Sequence, residues 1–117
     1  MTDKIVVLVT CGSPAEARKI ARVLVERRLA ACVNVIRTPV QSVYRWKGKV
    51  EFAKEVLLVI KSSRARFRSI EAEVKRLHGY DVPEIIALPV ALGSHEYLEW
   101  ISECLGNGRP KTRGRQK

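Results

Sequence analysis

The side chains able to hold a metal or attack a substrate are few in this 117-residue chain: Cys11, Cys32, Cys104, His78, His95 and the carboxylates. A metal needs several N, S or O ligands converging at bond length. Neither C-x-x-C nor H-x-x-x-H occurs, so spacing along the chain builds no preformed site. Cys11 closes the apolar run KIVVLVT and His78 closes a helical stretch, so both can lie at one end of a sheet. A thiolate beside an imidazole suits copper. The plainer alternative makes Cys32 and Cys104 small buried apolar side chains, and His78 and His95 surface residues. Catalysis finds no footing. No Ser or Cys neighbours a recognisable base, and neither G-x-G-x-x-G nor a GK[ST] loop is present. The chain reads as a non-enzyme.

A second set comprises Trp46, Lys61, Tyr80, Glu84 and Trp100, each polar or amphipathic beside an apolar strand or helix. They are candidates to line a cleft between subunits. The alternative is that they hold the interface itself, as aromatic anchors and ion pairs.

The elements that must position these residues follow from periodicity. KIVVLVT, 4–10, is a short β-branched run suited to a central strand. A helix over about 14–29 is announced by Ser13 as N-cap, Pro14 at the first helical position and Glu16 completing a capping box. Ala17, Ile20, Ala21 and Leu24 then form one apolar stripe. Residues 31–46 form a second strand, with a bulge or edge expected at Pro39. Lys47-Gly48 turns the chain into a third strand over 49–61. Phe67, Ile70, Val74 and Leu77 share a face of a helix over 64–78, with Gly79 just past its end. A fourth strand covers 84–90. Ser94 caps a last helix carrying Leu98, Ile101 and Leu105.

The order β-α-β-β-α-β plus a helix is the ferredoxin-like α+β arrangement, an antiparallel sheet with both helices on one face. RNA-recognition modules share that order, but they stack bases on aromatics in the central strands. Here IVVLV has none and KGKVEFAKE has one, Phe52.

The third strand is too long for such a domain. Thirteen residues at ~3.3 Å each span about 43 Å, against roughly 35 Å for the diameter of a chain this size. Its second half, VLLVI, is apolar on both faces. An overhanging hairpin and an uncovered apolar sheet face share one solution, which is association.

Composition restricts the partners. The formal charge is +10, and half of it lies in GNGRPKTRGRQK, 106–117, which has no acid. The reading is one domain over 1–105 followed by a disordered basic tail. Weak, sequence-independent binding of nucleic acid would run through that tail by counterion release. The five-residue run IVVLV is shorter than a signal-peptide core, and nothing approaches a membrane span. Three cysteines without a pairing pattern fit a reducing cytoplasm.

LVTCGSPAEARKIARVLVERRLAACVNVI, SVYRWKGKVE, HGYDVPEIIALPV and HEYLEWI closely resemble the CutA family of divalent-cation tolerance proteins, in the family's order and spacing across nearly all of 5–103. The most specific pieces are RLAACVN, the YRWKGK hairpin and Y-x-x-PEI-x-x-LP. Gly12 and Gly79 depart from the family, which often carries Pro at those places. The resemblance implies a ferredoxin-like protomer in a homotrimer planned like the PII signal proteins. It also implies a non-catalytic role in tolerance of copper or other divalent metals. It places His78 at a copper-ligand position, with Cys11 the second choice, and the metal is not required for folding. The competing expectation is a PII-like sensor that holds a small molecule in the intersubunit clefts.

Overall fold

The computed structural model describes residues 2–106, so the expected tail lies outside the described residues from 107 onward. Four strands, β1 (Lys4–Cys11), β2 (Cys32–Trp46), β3 (Lys49–Ser63) and β4 (Ile85–Pro89), alternate with α1 (Pro14–Glu26) and α2 (Phe67–Leu77). A 3-10 turn, Arg64–Arg66, leads into α2, and α3 (His95–Leu105) follows β4. The sheet order is β2-β3-β1-β4 with every neighbouring pair antiparallel. Each helix therefore crosses over one intervening strand, which is the expected ferredoxin-like topology.

One face of the sheet packs on α1 and α2. Ile5, Val7, Val9 and Cys11 of β1 and Val56, Leu58 and Ile60 of β3 point to it, meeting Ala17, Ile20 and Leu24 of α1 and Ile70 and Val74 of α2. All are buried. The alternate residues face the other way: register sets Leu8 beside Val59 and Ile86, and Val6 beside Leu88. There α3 covers one end, where Ile101 and Leu105 pack with Ala31. Ile86 and Leu88 remain half-exposed.

The helix ends bear on the site. α1 stops at Glu26 and not at the expected 29, because Arg28 is left-handed (φ 58°) and the amides of Leu29 and Ala30 both return to Leu24 O. α2 is ended by His78 in extended conformation (φ −85°, ψ 144°). Gly79 does follow the cap, as expected, but not in the left-handed conformation that glycine usually supplies there.

The overhang is present and longer than expected. β1 pairs with β3 only from Val56 to Ser63. Lys49–Glu55 and Val40–Trp46 therefore pair with each other alone, as a two-stranded ribbon that stretches the molecule to 50 × 28 × 25 Å. The register shift between Ile36 and Val40 is the irregularity that Pro39 announces.

Candidate metal centre

β1, α1 and the end of α2 converge at the edge of the buried core, where one sulfur, one nitrogen and one oxygen donor meet. Cys11, Glu16 and His78 place potential ligand atoms within 4.8 Å of one another. Cys11 is fully buried at the end of β1. Glu16 lies in the first turn of α1, one turn beyond the Ser13 cap. The His78 imidazole has 0% side-chain exposure, so the surface alternative for this residue is corrected. Burial follows from its bonds. Nε2 donates to the Thr10 carbonyl oxygen at 2.7 Å, which anchors the ring to the last turn of β1. Nδ1 accepts from the Tyr80 amide at 3.1 Å. A carbonyl only accepts and an amide N–H only donates, so His78 is the neutral Nε2–H tautomer.

Glu16 is half used. Oε2 accepts from the Gly79 amide at 3.0 Å. Oε1 lies 3.7 Å from His78 Nδ1 and is buried with no hydrogen-bond partner among the described residues. A buried carboxylate oxygen without a donor is costly and favours a cation or a proton. The surroundings are acidic. Burial, then the charges of Glu16 and Glu55, push the Cys11 thiol up to about 12. Burial, then a hydrogen bond to Glu55, push the Tyr80 phenol likewise to about 12. In a chain of charge +10, the carboxylates Glu16 and Glu55 act on both groups, and the Tyr44 phenol acts on Tyr80 as well. Mixed S, N and O donors suit copper or zinc.

A family model described as "CutA1 divalent ion tolerance protein" matches residues 5–104. The chain belongs to that family. A "Divalent-cation tolerance protein CutA" of Thermus thermophilus is 50% identical over 101 residues, 86% of this chain and 97% of the relative. The human "Protein CutA" is 45% identical over 95 residues, 81% of this chain and 52% of the relative, so this chain spans about half the length of some CutA relatives. Among solved structures, the Thermus thermophilus divalent cation tolerance protein superposes with TM-score 0.85 at 48% identity, covering 88% of this chain and 99% of that one. A CutA of Xylella fastidiosa gives 0.86 at 38% identity, covering 90% and 100%.

The remaining candidates scatter over this CutA fold. Tyr80 joins the centre itself, its ring 4.7 Å from that of His78. Trp46 stands at the ribbon tip with the Lys47 ammonium 6.0 Å from its ring. Lys61 donates to Asn34 Oδ1 on the face away from α1 and α2. Trp100 packs on α3 against Tyr97 at 5.5 Å, and Glu84 is exposed before β4. His95 pairs with Glu99 on the surface, and Cys32 and Cys104 are partly buried. Sequence reasoning missed Glu16 as a site residue. Ser13-x-x-Glu16 reads as a capping box, and Ser13 Oγ does accept from the Glu16 amide; the carboxylate, however, turns to the Gly79–Tyr80 loop.

Proposed function

We propose that the protein is a non-catalytic, trimeric divalent-cation binder of the CutA family. Copper or another divalent metal is held by Cys11, His78 and Glu16. The observation that carries the reading is the partnerless Glu16 Oε1 facing His78 Nδ1 in a pocket of acidic groups. The core cluster is apolar apart from the Cys11 thiol, which supports a metal that is not required for folding. The half-exposed Ile86 and Leu88 and the projecting ribbon support a PII-like homotrimer, with Trp46, Lys61, Tyr80, Glu84 and Trp100 at or near intersubunit clefts. No helix among the described residues is long and apolar enough to cross a membrane. Three cysteines, all thiols in the described structure, suit the cytoplasm.

Calorimetric titration with copper(II) and zinc(II) tests the site. Wild type is expected to bind one ion per chain, and Glu16→Gln at least tenfold more weakly, since an uncompensated charge is removed from a buried donor set. A metal that takes the Cys11 sulfur must displace its proton. Below the value of about 12 the thiol is protonated, so affinity rises by about tenfold per pH unit through neutrality. A flat profile removes Cys11 from the ligand set. No heat from a protein with three times the 13.2 kDa chain mass favours the small-molecule reading of the clefts.

A further inference from the structure

We propose that Tyr80 gates the metal centre: its amide occupies the one lone pair that His78 can offer a cation, and its ring, packed on His78 and over Gly12, must shift for that amide to leave. The inference rests on the metal reading above and adds to it the residue that opens and reports the site.

The His78 imidazole has two nitrogens, and Nε2 is committed to Thr10 O. Only Nδ1 faces Glu16 Oε1, and an imidazole nitrogen presents a single lone pair, here filled by the Tyr80 N–H. As it stands, the centre is assembled but latched. For the sulfur, nitrogen and oxygen to share an ion, the Tyr80 amide must leave Nδ1. The Gly79 amide need not move, because it bonds the other oxygen of Glu16. The latch is thus one hydrogen bond, made by one residue.

Tyr80 cannot release that bond without moving its ring. The ring lies against His78, tilted by 57°, and its hydroxyl is set beside Glu55, whose charge helps to hold the phenol protonated. It also lies over Gly12. A Cβ at residue 12 would stand 3.2 Å from the Tyr80 hydroxyl oxygen, so the absence of a side chain there lets the phenol reach inward. Glu55 is the last ribbon residue before β3 joins β1, since Val56 is the partner of Cys11. Displacement of Tyr80 therefore loosens a contact where the ribbon leaves the sheet, which converts occupancy of a buried centre into a change at an exposed element.

The test follows the Tyr80 amide by NMR in the full-length, nitrogen-labelled protein during zinc(II) titration, with calorimetry in parallel. Zinc is diamagnetic and leaves nearby resonances visible. The Tyr80 amide is expected to shift and to exchange with solvent faster in proportion to bound zinc, while amides of α3 stay in place. Tyr80→Phe removes the hydroxyl that is set beside Glu55 and holds the ring in place, and should raise zinc affinity by about threefold to tenfold, the scale of one polar contact. Zinc binding with a stationary Tyr80 amide, or with unchanged affinity in Tyr80→Phe, overturns the gate and leaves the metal reading standing. Absence of zinc heat in the wild type overturns both.

Discussion

The two halves of β3 belong to one unbroken strand and have opposite fates. Val56–Ser63 is central in the sheet, pairs on both sides and sends Val56, Leu58, Ile60 and Ser62 into the core. Lys49–Glu55 pairs only with β2, and Phe52 and Val43, directly opposite each other, are 76% and 62% exposed. A two-stranded ribbon is marginal in water by itself. The inner half is stabilised by its own chain; the outer half is the part that the proposed assembly would cover. The proposed metal centre sits at the boundary, where Cys11 pairs with Val56 and the Tyr80 hydroxyl is set beside Glu55.

The largest effect should come from the inner half. Leu58 is fully buried between the helices and the sheet. Leu58→Ala is expected to cost about 2–5 kcal/mol, from lost transfer energy and the cavity left behind. Chemical denaturation of wild type and variant measures it directly. A loss as small as that of Leu88→Ala, on the half-exposed face, would erase the distinction between the two faces of the sheet.

The outer half should respond in mass and not in fold. Phe52→Asp places a charge where a large apolar side chain awaits cover, forfeiting about 1.5–3 kcal/mol of burial per copy in an assembly. Light scattering should show the oligomer dissociating, while circular dichroism keeps the same strand and helix content. An unchanged mass would show that assembly uses the sheet face alone and leaves the ribbon outside it.

The same contrast marks where the sequence was legible. The element order, the Ser13 and Ser94 caps and the bulge at Pro39 are local signals, written within a few residues of the features they cause. Strand length against domain size also exposed the ribbon. The centre was only half legible, because its geometry depends on the chain returning to itself. Glu16 meets the Gly79 amide 63 positions away, and no spacing rule links the two. His78 sits beside a glycine in a loop, the pattern of a surface residue, yet Thr10 O draws it inside. A short-range rule also explained Glu16 fully enough, as a cap, to hide its second use.

The smallest effect concerns the clamp over the inner half. Arg27 at the end of α1 reaches Glu73 of α2 at 2.9 Å, and Arg76 bonds the same carboxylate. Arg76 first, and Arg27 with it, hold Glu73 below the ordinary value of 4.5 against the opposing effect of burial. A depressed folded value means that the unfolded chain takes up the proton first as pH falls. The stabilisation is therefore complete above about 4.5 and is lost as pH drops through the lower folded value. Both arginines are largely solvated, so the loss should be modest and weaker still in high salt. The thermal midpoint of wild type should exceed that of Glu73→Gln at neutral pH, and the two curves should converge in acid. The oligomer mass should not follow, because the clamp joins two helices within one chain. If mass and midpoint fell together, the helix layer and the ribbon would be coupled, and the two halves of β3 would no longer be separable parts.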